Sequence, residues 1–519
     1  EAYERLLLDA ILGDATLFIR RDEVEHYLDS LIDACDWSQF AVVGFTSTFQ
    51  QSVAAVAFAR RLKARFPDLI TLFGGANLEG EMGEELLRRA PAIDYAISGE
   101  ADDAYPAFLT ALTCGAPVSQ VPGLIYRQPN GRVSTVPARA PRMSLDDLPV
   151  PDYSEYFARA EAKGLLVDSS AVMLPFESSR GCWWGQKSHC TFCGLNAESM
   201  VYRSKQPSRV LSELADQSKR HGTFRFEAVD NILDVSYFSQ LFPALRDAQQ
   251  DYEFFYEVKS NLSREKLKTL REGGVTQIQP GIESLDSRIL KLMRKGVTAI
   301  QNVNLLRWAL YYDISVNWNV IYGFPGERRE DYASQVDLFK HIVHLQPPKG
   351  CGKVWLERFS PLFSDSVSYP LESRAPEDSY HYVFPHGTDL NKLAYFFDYQ
   401  LKNTLPDDAF GELRSTIETW QAQWQSGPRP QLTFCSAPGI VRIDDSRSEE
   451  RRGRYLFRDG LAQLYRECSD APRTPQGLRD ELGLPWSADE IRDALLEFCA
   501  RGLMMRDNDK FLSLALPFV

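Results

Sequence analysis

The chain has 519 residues, 44% of them apolar or aromatic, and a formal net charge of −13. The length allows roughly two to four domains, and the acidic balance argues against capture of DNA or RNA by a basic surface. No window approaches the roughly 18 uninterrupted apolar residues of a membrane span, and Glu1–Arg5 lacks the basic start and apolar core of a secretory signal. Six of the nine cysteines (Cys35, Cys114, Cys351, Cys435, Cys468, Cys499) are scattered singly. They read as free thiols of a reducing cytoplasm rather than as a disulfide scaffold.

Residues 1–145 are expected to form one domain with an N-terminal extension. Phe40–Thr46 is an apolar run of strand length, followed by a helical pattern over Ser52–Arg65. Leu69–Gly75 is the next strand, then the helix Glu81–Arg89, the strand Asp94–Gly99, another helix, and a short strand near Gly123–Arg127. Strands apolar throughout and spaced by helices predict an α/β fold, here a doubly wound, flavodoxin-like sheet covered on both faces. Ligands of such sheets sit beyond the carboxyl ends of the strands. Those ends are Thr46, Ser47, Thr48, Phe49 and Gln50; Gly74, Gly75, Ala76 and Asn77; and Ser98 to Glu100. Small and polar residues suit a backbone that must approach a large flat ligand. The Gly-x-Gly-x-x-Gly phosphate fingerprint is absent after the first strand.

Pro137, Pro141, Pro149 and Pro151 mark a connector, with a linker expected over 146–170. A second strand–helix series fills 171–370. Its expected strands are Val172–Glu177, Phe224–Val229, Phe254–Val258, Val275–Gln279, Ile314–Ile321 and Val354–Phe359. Six β/α units predict a partial barrel with active groups at the carboxyl ends of its strands. Residues 371–519 read as mostly helical, with helices near Asp389–Thr404 and Phe410–Gln425. The last part reads helix, helix, helix, hairpin: Thr474-Pro475 as N-cap and N1, Ser487 with Glu490 as a capping box, and a β-wing over Gly502–Leu516. From Arg473 onward six Lys and Arg face eight Asp and Glu, so this winged-helix-like unit points to peptide docking or structure rather than DNA.

Cys182, Cys190 and Cys193 lie in the loop after the first strand of the second series, with the spacing Cys-x₇-Cys-x₂-Cys. Three thiolates leave one iron of a [4Fe–4S] cube open, whereas four saturate it. Zinc is the alternative, with His189 as a fourth ligand. The stretch Ser178–Lys205 resembles the radical S-adenosylmethionine (SAM) enzymes, and is especially similar to the branch that matures ribosomally made, modified peptides. The superfamily spacing is usually Cys-x₃-Cys-x₂-Cys; the four extra residues are a departure this branch shares. Phe192 matches the aromatic residue usual between the last two cysteines. The first domain, including Phe73–Gly83, looks like a cobalamin-binding domain, and Tyr322–Glu327 is similar to the superfamily's adenosine-contacting segment. Cobalamin proteins often carry a cobalt-ligating histidine in Asp-x-His-x-x-Gly after the first strand. The loop Thr46–Ser52 has none, so Thr48, Phe49 or Gln50 would meet the lower corrin face and leave cobalt weakly ligated.

The resemblance implies a cobalamin-dependent radical SAM C-methyltransferase. Its cluster would be held by Cys182, Cys190 and Cys193 and would cleave SAM to a radical that abstracts hydrogen from carbon. Methylcobalamin would supply the methyl group, and a second SAM would restore it. The two cofactors would meet between the sheet and the barrel. SAM contacts are expected from Phe192, Asp230, Asn231, Glu257, Lys259, Glu283, Gly323 and Phe324. Cobalamin contacts are expected from the three strand-end loops. Substrate contacts are expected from Asn317, Asn319, Tyr322, Trp355 and Glu357, with Glu227 a further polar residue at the mouth. Core packing is the alternative for at least two of Trp318, Tyr322 and Trp355. The implied partners are a precursor peptide or free amino acid and a reductase or flavodoxin as electron donor, with no nucleic acid and no membrane. Besides a zinc-binding scaffold that recruits a peptide through its winged helix, three alternatives stay open within or beside the family. One is polar methylation of an aromatic carbon, such as C2 of free tryptophan, with Glu257 or Glu283 on the open iron. The second is cobalamin use without methyl transfer. The third, a methylthiotransferase acting on tRNA, fits the acidic charge poorly.

Overall fold

The computed structural model describes residues 21–139, 143–165, 168–197 and 200–518. Glu1–Arg5, Pro141 of the expected connector, and Glu198 and Ser199 after the cysteines lie outside the described residues. The chain divides into two compact units, one comprising residues up to Met143 with Arg374–Asp398, the other Ser144–Ser373 with Tyr399–Val519.

The first unit is built on a five-stranded sheet: β1 (Val42–Thr46), β2 (Ile70–Gly74), β3 (Tyr95–Ile97), β4 (Leu124–Arg127) and β5 (Val133–Thr135), in that order. β1 to β3 are parallel, and β4 and β5 are antiparallel to their neighbours. Side chains alternate across a strand, so adjacent residues serve opposite faces. Phe73, Ala96 and Ile125 pack with Ala59, Leu86 and Leu87 from the helices Gln51–Arg65 and Glu81–Arg89. Leu72, Ile97 and Leu124 pack with Ala104, Phe108 and Ala111 from the helix Ala101–Cys114. The expected α/β sheet with helices on both faces is present. β4 and β5 are joined by the turn Gln128–Arg132, closed by Gln128 N donating to Arg132 O at 2.8 Å, a connection too short for a parallel pair. The later segment Arg374–Asp398 packs Leu393 into the same core as Phe73 and Leu86.

The second unit carries a parallel sheet of β6 (Met173–Phe176), β9 (Arg225–Ala228), β10 (Glu253–Glu257), β11 (Val275–Gln279) and β12 (Ser315–Val316). Between β6 and β9 a short hairpin, β7 (Ser179–Arg180) with β8 (Arg203–Ser204), closes the base of the cysteine loop. β13 (Asn319–Tyr322) pairs in parallel with β14 (Gly350–Lys353), and a bridge from Glu283 to Val320 continues the curve. This is the expected partial barrel with two adjustments. The fifth strand breaks at Asn317-Trp318, because the Gln346 side-chain amide takes the place of a strand neighbour: its oxygen accepts from Val316 N at 3.0 Å and its nitrogen donates to Ile314 O at 2.9 Å. The sixth strand is β14, four residues earlier than expected. Gly350 permits its approach, since a Cβ there would stand 3.1 Å from Asn319 Oδ1.

The 146–170 stretch is not a free linker. Gln217 donates to Pro151 O at 2.6 Å, Tyr153 donates to Pro175 O at 2.7 Å, and Phe157 stacks on His221 at 4.7 Å. Beyond the barrel, β15 (Leu356–Glu357), β16 (Leu371–Pro376) and β17 (Phe396–Leu401) form a three-stranded sheet in the order β15-β17-β16. The helix expected over 389–404 is a single turn at Leu390–Leu393 followed by β17; the aromatic run Phe396-Phe397 with Tyr399 favours a strand. The tail also holds a four-stranded sheet of β18 (Leu432–Ala437), β19 (Ile440–Asp445), β20 (Gly453–Arg458) and β23 (Leu516–Pro517). The helices Asp459–Asp470, Pro475–Leu482 and Ala488–Ala500 and the hairpin of β21 (Met504–Asp507) and β22 (Lys510–Ser513) match the expected winged-helix order. Ser487 and Glu490 make the expected capping box.

Arg307 joins the barrel to this tail. Its guanidinium is fully buried and donates to Ser469 O at 2.9 Å, Ala515 O at 2.8 Å, Leu514 O at 3.3 Å and Asn304 Oδ1 at 3.1 Å. Among the described residues, no helix is long and apolar enough to cross a membrane.

Candidate active site

The cysteine loop is built from both of its ends. At its base Asp230, 1% exposed, accepts from Ser178 N at 2.8 Å, from Ser179 Oγ at 3.0 Å, and from the Ser178 hydroxyl. Burial pushes its carboxyl up to about 6 against the pull of those serines. Asp230 is therefore a latch for the loop and not a SAM contact, since both its oxygens are spent inside the protein. Cys182 caps the short helix Trp183–Lys187, its sulfur accepting from Gly185 N at 3.2 Å.

The loop is then clamped to the segment 293–296 at two points. Thr191 N donates to Met293 O at 3.1 Å, and the Trp184 indole donates to Arg294 O at 3.1 Å. Gly296, at φ +63°, makes the second contact feasible: a Cβ there would stand 2.0 Å from the Trp184 ring. Lys259 completes the clamp, its ammonium 3.5 Å from the Trp184 ring centroid and donating to Lys295 O at 2.5 Å. Gly194, next to Cys193, donates its N–H to Glu357 Oε2 at 2.8 Å.

The donor set fits a cluster better than one ion. Cys190 is close enough to act electrostatically on both Cys182 and Cys193. His189, the zinc alternative's fourth ligand, turns its Nε2 to Cys193 O at 2.8 Å. Burial pushes the Cys193 thiol up to about 12, and coordination to a metal is what deprotonates such a thiol.

At the strand ends around this loop, charge is buried. Burial and then the neighbouring Glu283 push the Glu257 carboxyl up to about 7, and Glu257 accepts from Gln279 Nε2 at 3.2 Å. Glu283 sits at φ +58°, and Lys295 Nζ lies 3.6 Å from its Oε1. Burial and then Lys295 bring the Lys259 ammonium down to about 8. Burial also raises Glu357. Phe192 packs edge-on to Phe324 at 6.0 Å. The Gly323 amide is used by Glu327 at 3.0 Å, and Phe324 is 1% exposed, which limits both as cofactor contacts.

The other candidates divide. Asn231 and Asn317 are half-buried; Glu227 and Asn319 are exposed, as is Trp355 at 66%. Tyr322 is withdrawn as a substrate contact: it is buried, stacked 4.0 Å from Phe410, and its hydroxyl accepts from Arg414 at 2.7 Å. Trp318 is likewise core, at 2% exposed. Sequence reasoning missed Lys295, Trp184 and Gly296. A glycine directly after Met293-Arg294-Lys295, at the end of a helical pattern, was the available signal for a left-handed turn there.

In the first unit the strand-end loops form one hydrogen-bonded platform. Ser47 is fully buried. Asn77 Nδ2 donates to Ser47 Oγ at 3.1 Å, Phe49 O at 2.9 Å and Ser52 Oγ at 2.9 Å. Ser47 N donates to Gly74 O at 2.7 Å. Thr48 N donates to Gln51 Oε1 at 2.9 Å. Phe49, at φ +48°, stacks 6.2 Å from Phe396 and meets Tyr395 edge-on at 6.0 Å. Ser98 Oγ accepts from Gly80 N at 2.9 Å. Gln50 and Ala76 are exposed, and Glu100 is half-buried.

Gly75 has φ +100°, and a Cβ on it would stand 2.6 Å from Ser47 O. Gly44 and Gly74 differ: among the described residues, nothing lies within 4 Å of where their Cβ atoms would be. The β1–β2 register puts Gly44, Thr46 and Gly74 on one face, and among the described residues the backbone of that face is uncovered at Gly44 and Gly74.

A radical SAM superfamily domain matches residues 176–338. An uncharacterised methyltransferase of Pyrococcus horikoshii is 26% identical over 62% of this chain and 71% of its own length. Among solved structures, OxsB, a cobalamin-dependent S-adenosylmethionine radical enzyme with aqua-cobalamin and S-adenosylmethionine bound, superposes with a TM-score of 0.58 at 15% identity. That match covers 78% of this chain and 60% of OxsB, so the chain spans less than two thirds of it. TsrM of Kitasatospora setae, a radical S-adenosylmethionine methyltransferase with tryptophan substrate and a SAM analogue bound, gives 0.56 at 15% identity, over 78% of this chain and 82% of TsrM. Residues 176–338 thus match the radical SAM superfamily, in a chain with the fold of OxsB and TsrM.

Proposed function

We propose that this chain is a cobalamin-dependent radical SAM C-methyltransferase that methylates a carbon of a peptide precursor or of its amino-acid building block. The observation that carries the reading is the loop after β6, which offers three cysteines on a rigidly clamped scaffold with no fourth cysteine beside them. Cys182, Cys190 and Cys193 would hold a [4Fe–4S] cluster; Thr46–Gln50, Gly74–Asn77 and Ser98–Glu100 would carry cobalamin. When bound, the cluster supplies reductive cleavage of SAM and cobalamin supplies the methyl group.

The protein's own residues bind, orient and exclude water. Asp230 and the Trp184–Gly296 contact fix the cysteine loop. Phe192, Asn231, Glu257, Lys259 and Glu283 would receive SAM, whose ammonium and carboxylate need partners of both signs. Asn317, Asn319, Trp355 and Glu357 are left to the substrate. Glu283 is engaged by Lys295, and burial raises Glu257; both features favour the radical route over one in which a free carboxylate occupies the open iron.

The test is anaerobic reconstitution of the full chain with iron, sulfide, hydroxocobalamin and SAM, followed by mass spectrometry. Formation of both 5′-deoxyadenosine and S-adenosylhomocysteine is expected. S-adenosylhomocysteine alone would point to polar transfer, and 5′-deoxyadenosine alone to a reaction without methylation.

A further inference from the structure

Beside the three cysteines lies a buried cation, Lys295, that the reading above uses only as the partner of Glu283. Lys295 is seated with unusual care. Its side chain is 14% exposed and its Nζ stands 3.6 Å from Glu283 Oε1, itself 17% exposed. The same ammonium lies 5.5 Å from the ring centroid of Phe192, the residue between Cys190 and Cys193. It is within electrostatic reach of all three cysteine sulfurs. Gly281 makes room for it, and Gly296 makes room for the neighbouring Trp184. At Gly281, φ +55°, a Cβ would stand 3.0 Å from Lys295 Nζ; at Gly296 a Cβ would collide with Trp184. Lys295 N donates to Leu290 O at 3.0 Å, and Lys295 O accepts from Lys259. Two neighbouring charges also reach the cysteines, Lys259 over Trp184 acting on Cys182 and Cys190, and Glu357, which holds Gly194 N, acting on Cys193.

One-electron reduction adds a negative charge to a cluster already held by thiolates, and the nearest charges in a water-poor site set how costly that is. We propose that the Lys295–Glu283 pair sets the reduction potential of the cluster, Lys295 favouring the reduced form and Glu283 restraining it. The proposal rests on the cluster reading. The electron comes from an external low-potential one-electron donor, a reduced flavodoxin in the cell or dithionite in the cuvette, which is oxidised as the cluster gains it. Toward the cluster both residues act through space, as positioning residues; Glu283 would also meet SAM, so the cluster is titrated without it.

The experiment is a potentiometric titration of the anaerobically reconstituted full chain, followed by electron paramagnetic resonance without SAM or cobalamin. At a fixed applied potential, Lys295→Met should lower the ratio of reduced to oxidised cluster at least tenfold, equivalent to about 59 mV for one electron. Glu283→Gln should raise that ratio, and Lys295→Arg should restore it to within about twofold of wild type. A purely structural role would not give opposite signs for two partners. Unchanged ratios in variants with wild-type iron and sulfide, or shifts of the same sign, overturn the proposal. So does weakened SAM binding by Lys295→Met at an unchanged ratio, which would assign the lysine to SAM instead. If Lys295→Met cannot hold the cluster, Glu283→Gln decides alone, and no increase overturns the proposal. A wild-type chain without labile sulfide overturns the cluster reading as well.

Discussion

The strand ends of the first unit and those of the barrel solve opposite problems with the same topology. In the first unit, the part of the platform around Ser47 and Asn77 is made of hydroxyls, amides and backbone, and a carboxylate enters only at the third strand end, where Glu79 accepts from Gly99 N at 3.0 Å. No ion pair forms within the Asn77 network, and the open face at Gly44 and Gly74 presents bare backbone. At the barrel mouth, Glu257, Glu283, Lys259 and Lys295 are crowded and largely buried. A neutral platform can hold a large flat ligand by shape and backbone contact. A charged one holds a small zwitterion and governs the charge of what lies beside it. Parallel sheets put both kinds of site at the carboxyl ends of strands; the side chains placed there decide which kind.

The comparison can be broken most severely at the cysteines. Replacing any one of Cys182, Cys190 and Cys193 by Ala should abolish cluster assembly, read as iron and sulfide per chain after reconstitution, while cobalamin retention by the first unit persists. Loss of both at once would mean that the two sites are not separately built.

The next effect is electrostatic and confined to the barrel. Burial pushes the Glu327 carboxyl up to about 7, despite hydrogen bonds from Tyr332 and the Gly323 and Phe324 backbone. A folded chain that holds this proton more tightly than the unfolded one loses stability as pH rises from about 4.5 to about 7. The total is on the order of 3 kcal/mol. Glu327→Gln should flatten that slope in denaturant titrations, and an identical slope in the variant would reject the assignment.

In the first unit the sensitive points are steric instead. Gly75→Ala should cost about 1–3 kcal/mol, because the residue sits at positive φ against Ser47 O. Calorimetry measures it, and an unchanged melting temperature would refute it. Gly74→Val should move stability least, by about 0.5 kcal/mol or less, since space is open there. It should still reduce cobalamin retention about tenfold, measured by absorbance after gel filtration. Equal retention would show that the ligand does not lie on that backbone.

Local signals carried much of this architecture. Apolar runs and turn glycines located β1 to β4 and most barrel strands, and Ser487 with Glu490 located a helix start. The cysteine spacing located the loop because it is a pattern along the chain. Features that depend on partners far away in sequence were not legible. β17 looked helical because its pairing with β15 and β16 is not local. The Gln346 amide that breaks the fifth strand is about 30 residues away from it. Asp230 resembled other polar strand ends, and only its hydrogen bonds to Ser178 and Ser179, about 50 residues distant, show it to be a latch. Lys295 was invisible for the same reason: a lysine near a glycine is ordinary until its neighbours in space are known.

Arg307 bears on how this chain could be re-engineered. Its buried charge has been handed to carbonyls of the last 60 residues, so a shortened chain would strand a guanidinium in apolar surroundings. Grafting a foreign recognition module in place of the winged helix would therefore have to bring its own acceptors for this side chain, or replace Arg307 in the same step.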